Sequence, residues 1–279
     1  MNKITLGFSP CPNDTFIFDA MVHHKIDTEG LEFDYFMADV EELNTKAFNG
    51  IPDVCKVSYH AYLHLINEYI LLNSGSALGN DVGPLFISKK DLTDKNLADV
   101  SVAIPGKYTT ANLLLSIAYP QIKEKNKKEL LFSDIESKLL NKELDAGVII
   151  HENRFTYHKR GLKLIADLGK RWFELTQQPI PLGGIVIKRN LDKEIINSVN
   201  RILKKSVEYA FANPKSPMDF IRCNAQEMEE EVMLKHINLY VNKYSIELGD
   251  KGRKAIETLF NLAFEKGLID KFPEKELFL

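Results

Sequence analysis

The sequence predicts an α/β protein of two lobes, two α/β domains with a central cleft between them and a double hinge. Three observations predict it. About the first 90 residues alternate strand-like and helix-like segments, a smaller alternation of the same kind starts near Lys89, and roughly the last 80 residues read as helices with almost no strand for them to cover. Helices without a sheet of their own must pack on an earlier one. The expected organisation is therefore a discontinuous domain, 1–88 plus 189–279, around an inserted domain, 89–188, joined by two crossing segments near residues 88 and 188.

Taken in order, Ile4–Phe8 is apolar at alternate positions and reads as a strand, a helix follows from about Asp14 to Lys25, and Leu31–Phe36 alternates again. Asp39 and Glu42 have the spacing of a capping box for a helix through Leu43 and Ala47, and Gly50 supplies its stop. Asp53–Ser58 reads as a strand, His60–Tyr69 as a short helix, Ile70–Asn73 as a strand, Ser74–Pro84 as a glycine-rich loop and Leu85–Ser88 as a strand. The second unit runs through strand Val100–Ile104, a Pro105-Gly106 turn, helix Thr110–Ala118, strand Leu130–Phe132, helix Ile135–Leu144 and strand Gly147–Ile150. Leu162–Leu168, a helix around Trp172, the turn Pro179–Gly184 and strand Ile185–Lys188 lead into the final helices.

Composition narrows the function. Thirty-six Lys plus Arg against 39 Asp plus Glu leave a formal charge of −3, which gives no reason to expect nucleic acid or an anionic membrane as a partner and favours a small molecule. Cys11, Cys55 and Cys223 are odd in number and far apart, so they make neither a disulfide framework nor a CxxC motif, as expected of a reducing cytoplasm. The longest stretch free of charged residues, Tyr108–Ile122, is too short and too polar to cross a bilayer, and the N-terminal segment has no leader-like apolar run.

Several places could carry chemistry. Ser9-Pro10-Cys11-Pro12-Asn13-Asp14-Thr15 leaves the first strand and opens the first helix, where Asn13 or Asp14 could cap backbone N–H groups or the helix start could receive an anion; local sequence leaves both open. Pro105-Gly106-Lys107-Tyr108-Thr109-Thr110-Ala111 is a second strand-turn-helix; it is not a phosphate loop, which would need Gly at Ser101 and Ser or Thr at Tyr108, and it offers helix N-terminal amides, Thr hydroxyls and Lys107 to a carboxylate or hydroxyl. Lys56 and Ser58, in Lys56-Val57-Ser58, share one face of a strand, and the lysine either snorkels to water or pairs with a buried anionic ligand. Gly75, Gly79 and Gly83 do not form a dinucleotide fingerprint. His151 follows the apolar run Gly147–Ile150, which would deliver it to a sheet edge beside Glu152, Arg154 and Tyr157, either as a base or as a hydrogen-bonded boundary residue. His60 and His64 are four apart, but Ala61 stands where a zinc protease has glutamate and no third ligand is evident, so they read as surface helix positions; His236 carries no signal.

Several of these segments occur together in a known family. Gly7-Phe8-Ser9-Pro10-Cys11-Pro12-Asn13-Asp14-Thr15-Phe16, Lys56-Val57-Ser58-Tyr59, Ser74-Gly75-Ser76-Ala77-Leu78-Gly79, Val82-Gly83-Pro84-Leu85, Pro105-Gly106 with Thr109-Thr110-Ala111, and Ile150-His151-Glu152 with Arg154-Phe155-Thr156-Tyr157 carry the match over nearly the whole chain. The sequence resembles the 1,4-dihydroxy-6-naphthoate synthases of the futalosine route to menaquinone, and departs from their pattern at Asn80-Asp81. The resemblance implies a two-lobed fold like that of the periplasmic binding proteins of type II. It implies a carbon–carbon lyase acting on cyclic dehypoxanthine futalosine, with no cofactor and no metal. His151 falls at the position of the family's base, and Lys56, Val57, Ser58, Thr109, Thr110 and Ala111 fall at its substrate-contact motifs, with Asn13 and Asp14 as further candidates. A solute-binding protein on the same cleft, or a sibling enzyme such as chorismate dehydratase, are the alternatives.

Overall fold

The computed structural model describes residues 2–80, 82–92, 97–150, 153–225, 229–272 and 274–279. Strand β1 (Asn2–Phe8) lies inside the first sheet, where its alternate residues Ile4, Leu6 and Phe8 are buried. It pairs in parallel with β2 (Leu31–Met37) and β3 (Val54–Ser58), the crossovers being α1 (Pro12–Val22) and α2 (Val40–Phe48). After α3 (Tyr59–Leu65), β4 (Tyr69–Leu71) and β5 (Ala77–Gly79) complete the outward pass. The second sheet is built from β6 (Leu85–Ser88), β7 (Val102–Ile104), β8 (Lys127–Glu129), β9 (Ala146–Ile149) and β10 (Lys163–Asp167), in the order β10-β6-β9-β7-β8. Its helices are α4 (Thr110–Ala118), α5 (Ile135–Leu140), the single turn α6 (Asn153–Thr156) and α7 (Leu168–Thr176). The long strand β11 (Ile180–Lys188) then returns to the first sheet, whose order is β2-β1-β3-β11-β4 with β5 also on β11.

The rest is helical: α8 (Lys193–Ala212), α9 (Met218–Asn224), α10 (Glu230–Tyr240), α11 (Lys243–Ile246) and α12 (Gly249–Glu265). Helices α8, α9 and α10 pack on α1, which explains why α1 is buried almost all round: the sheet is on one side and helices on the other. One apolar cluster joins Ile4, Leu6, Phe16, Ile185 and Ile187 to Val199, Ile202 and Leu203 of α8. A second runs from Val57, Tyr62 and Phe260 through Leu114 of α4 to Phe86, Val102 and Val148 of the second sheet, so the lobes share a continuous core. A third seals the far face of the second sheet with Ile135 and Leu139 of α5.

Sheet membership departs from the expected boundaries at two strands. Leu85–Ser88 belongs to the second sheet and Ile180–Lys188 to the first, so the sheets change over between Gly79 and Leu85 and between Asp167 and Ile180, some residues before 88 and 188. An apolar strand carries no sign of which sheet it joins. Ala77–Gly79, expected within a loop, is a strand, and the strand expected at Leu130–Phe132 lies earlier, at Lys127–Glu129. As an edge strand paired only with β7, β8 has little to bury, and its charged residues give no apolar signal. Asp39 does cap α2, accepting from the amides of Glu41 and Glu42, and Gly50 follows the helix in a left-handed conformation at φ +64°.

Candidate active site

The chain leaves β1 at Phe8 and turns through Ser9 into α1, which opens on Pro12, a position where the missing N–H costs nothing. No side chain caps this helix; the Cys11 carbonyl takes the amides of Asp14 and Thr15 at 3.1 and 3.0 Å. Asp14, considered above as a cap, turns back into the loop instead. Ser9 donates to its Oδ2 from N at 3.1 Å and from Oγ at 2.7 Å, while Asn13 Nδ2 donates to Oδ1 at 2.8 Å and Lys56 Nζ approaches Oδ1 at 3.1 Å.

Every residue of β3 is buried between β1 and β11, and Lys56, only 7% exposed, meets solvent through the cleft alone. The structure adds a partner that neither reading of this lysine named: its ammonium stands against Asp14 of the same chain and donates to the Gly75 carbonyl at 3.2 Å. An ammonium has three donors, which leaves one for the cleft. Gly183 on β11 makes the crossing possible, since a Cβ there would stand 2.7 Å from the Val57 carbonyl oxygen. Cys55, beside it, is pushed well above the ordinary thiol range by burial and by the charge of Asp14, so it is no nucleophile.

Ser58 ends β3 and is tied to α2: its amide donates to Asn44 Oδ1 at 3.0 Å, and Asn44 Nδ2 donates to Glu41 Oε2 at 2.9 Å. Glu41 then crosses to the other lobe. Its Oε1 accepts from the Tyr108 amide at 3.0 Å, and its side chain lies so close to Gly106, at φ +148°, that a Cβ there would meet Glu41 Cδ at 2.5 Å. Burial raises the Glu41 carboxyl pKa, with the Tyr108 amide and Asn44 acting in the opposite direction.

Helix α4 begins after Thr109, whose Oγ1 accepts from the Asn112 amide at 3.3 Å. Thr110 Oγ1 donates to the Leu182 carbonyl of β11, and His60 Nδ1 lies 3.2 Å from the Thr109 carbonyl. His60 was expected on the surface; it is buried, with burial and then the neighbouring His64 pushing its pKa down to about 4. A neutral imidazole facing a carbonyl carries its proton on Nδ1. Lys107, considered as a ligand of the cleft, is exposed with its ammonium over the Tyr108 ring, and its amide goes to Glu129 Oε2 at 3.1 Å. Among the described residues nothing accepts from the amides of Thr110 and Ala111, so these are the N–H groups the head of α4 can offer.

Asn13, Asp14, Lys56, Val57, Ser58, Thr109, Thr110 and Ala111 all line one cleft of about 720 Å³, mouth included, with Leu43, Leu182 and Tyr240 among the residues that give it apolar walls. Residues 4–265 match the family model described as menaquinone biosynthesis. The chain belongs to this menaquinone-biosynthesis family. It is 40% identical over 273 residues to the 1,4-dihydroxy-6-naphthoate synthase of Thermus thermophilus, covering 98% of each chain, and 35% identical over 271 residues to that of Streptomyces coelicolor, covering 96% of this chain and 95% of the other. A crystal structure of an Archaeoglobus fulgidus protein, 35% identical, superposes with a TM-score of 0.89 over 96% of this chain and 98% of that one. The ligand-binding component of an ABC-type import system from Staphylococcus aureus is only 14% identical, yet matches with a TM-score of 0.72 over 98% of this chain and 94% of that one. The fold is thus that of the periplasmic binding proteins, and the family is one of biosynthetic enzymes.

As a member of that family, the chain is an enzyme of menaquinone biosynthesis acting on a small molecule. None of its described helices is long and apolar enough to cross a membrane. His151 and Glu152 lie outside the described residues; Ile150, which precedes them, lines the cleft. Arg154 ties the following segment down, donating to the Gly83 carbonyl at 3.1 Å and standing 3.7 Å from Asp167. Glu41, Asn44, Leu182, Tyr240 and His236 were not singled out from the sequence. Glu41, Leu182 and His236 meet partners distant in the chain, Tyr108, Thr110 and Asn13, and no local spacing announces that.

Proposed function

We propose that the cleft converts cyclic dehypoxanthine futalosine to 1,4-dihydroxy-6-naphthoate, releasing the sugar-derived fragment. The observation that carries this reading is the convergence of the three motif segments, 13–14, 56–58 and 109–111, on one cleft whose polar wall offers donors: one N–H of Lys56 and the amides of Thr110 and Ala111. Such a wall receives the carboxylate and hydroxyl oxygens of the substrate, and its dipoles are fixed before the substrate arrives.

His151 is the general base of this reading. A neutral imidazole takes the proton of the hydroxyl next to the breaking bond; that C–O becomes the carbonyl of the departing fragment, the carbon–carbon bond breaks, its electron pair enters the ring as an enolate, and the imidazolium returns the proton to the enolate oxygen as the ring aromatises. The Lys56 ammonium and the α4 amides stabilise the negative charge while the closed lobes exclude water. We place the reaction in the cytoplasm, a reading supported by the chain's membership of a family of biosynthetic enzymes.

The test is to incubate the purified protein with cyclic dehypoxanthine futalosine and, separately, with chorismate, and to follow products by liquid chromatography and mass spectrometry. Naphthoate from the first alone is expected. Binding without turnover would indicate a solute-binding protein, and dehydration of chorismate would indicate the sibling enzyme.

A further inference from the structure

Asn13 stands in the cleft wall, half-buried, with its carboxamide between two buried groups. Asp14 Oδ1 lies 2.8 Å from one end. Since Asp14 sits against the Lys56 ammonium and accepts from Ser9 as well, it serves as an acceptor, and the carboxamide end that faces it must be the nitrogen. The oxygen therefore points the other way, to His236 Nε2 at 2.9 Å. An acceptor at that distance requires hydrogen on Nε2, which fixes which ring nitrogen of His236 donates. His236 is 1% exposed on α10, 223 residues along the chain from Asn13, and its ring packs 4.7 Å from that of Tyr240, another part of the cleft wall.

A carboxamide can flip at little cost in its own energy, and a flip would present an acceptor to the cleft where a donor now stands. His236 and Asp14 together prevent it: a flipped Asn13 would set nitrogen against the Nε2–H and oxygen against the Asp14 carboxylate. We propose that His236 is a positioning residue for substrate binding: its Nε2–H holds Asn13 Oδ1, so that the remaining Nδ2 proton of Asn13 is offered to an oxygen of the substrate. This inference rests on the reading that the cleft is the substrate site.

Steady-state kinetics of the full chain test it, with His236→Phe, His236→Gln, Asn13→Ala and the Asn13→Ala/His236→Phe pair. In His236→Phe, KM for cyclic dehypoxanthine futalosine should rise about tenfold, the effect of one hydrogen bond, with kcat within about threefold. His236→Gln, whose amide nitrogen can donate to the same oxygen, should restore most of the loss. In the Asn13→Ala background, His236→Phe should add almost nothing, because both changes remove the same contact. An unchanged KM in His236→Phe, a glutamine variant no better than the phenylalanine one, or effects that multiply in the double variant would overturn the proposal. If His236→Phe loses cooperative melting, His236→Met takes its place in the cycle. A parent protein without turnover contradicts the functional reading instead; exchange of the Asn13 side-chain amide protons, followed by NMR, then decides for His236, being faster in His236→Phe if the tie exists and unchanged if it does not.

Discussion

Lys56 is a nearly buried ammonium in a strand, and Asp14 is the group that makes this tolerable. The pair makes the wall of the cleft polar without giving it net charge. Removing one partner leaves the other charge buried alone, so Asp14→Asn should lower the free energy of unfolding by about 3–5 kcal/mol, whereas Asp14→Leu with Lys56→Met should cost less than the single change. Denaturant titration of the three proteins measures this, and a single variant as stable as the parent would contradict it. His60 makes a second prediction. Its folded pKa is pushed down from 6.5 to about 4, so between those values the unfolded chain binds a proton that the folded chain refuses. The stabilisation from keeping His60 neutral is complete above pH 6.5 and disappears as pH falls toward 4. The parent should therefore lose more stability than His60→Gln across that window in thermal melts, and parallel curves would refute the assignment. At this scale the sequence was informative for residues whose motif is contiguous, 13–14, 56–58 and 109–111, which all reach the cleft. His60, His236 and Glu41 were not legible, because what sets their behaviour is a contact with Thr109, Asn13 or Tyr108 that only the folded chain creates.

At the scale of elements, α2 and the head of α4 form a latch between the lobes. Glu41 needs an acceptor at both oxygens, since the Tyr108 amide and Asn44 Nδ2 are both donors, and Asn44 cannot turn because Ser58 N holds its oxygen. Glu41→Gln can satisfy only one of them. The Tyr108 amide should then exchange with solvent about tenfold or more faster, and KM should rise because Ser58 and Tyr108, which precedes the head of α4, lose their common tie. Unchanged exchange would show that the latch contributes nothing. Element identity was readable where burial is one-sided, as in β1, with its alternation, and α8, with its apolar stripe. It failed at β8, a charged edge strand, and at β5, whose three residues pair with β11 through a register shift.

At the scale of the molecule, one core runs through both lobes while the chain crosses between sheets twice. The first crossing passes Gly83 so close to Gly169, at the start of α7, that a Cβ on Gly83 would lie 2.1 Å from the Gly169 nitrogen. Backbone cannot yield as a side chain can, so Gly83→Ala should cost about 1–3 kcal/mol or reset the angle of the lobes. Calorimetry with small-angle scattering would reveal either, and a variant unchanged in both would contradict the close approach. The order of strands and helices was legible in the chain, but which sheet β6 and β11 enter depends on pairing partners that no local pattern specifies.

The central claim joins this architecture to one reaction and one base. Its most direct test compares parent and His151→Asn protein, each saturated with cyclic dehypoxanthine futalosine, for binding by calorimetry and for release of 1,4-dihydroxy-6-naphthoate by mass spectrometry. Similar affinity is expected, with turnover reduced by a factor on the order of 10² or more, as for loss of a general base. Near-normal turnover in His151→Asn would remove His151 from the mechanism, and no naphthoate from the parent would contradict the function itself.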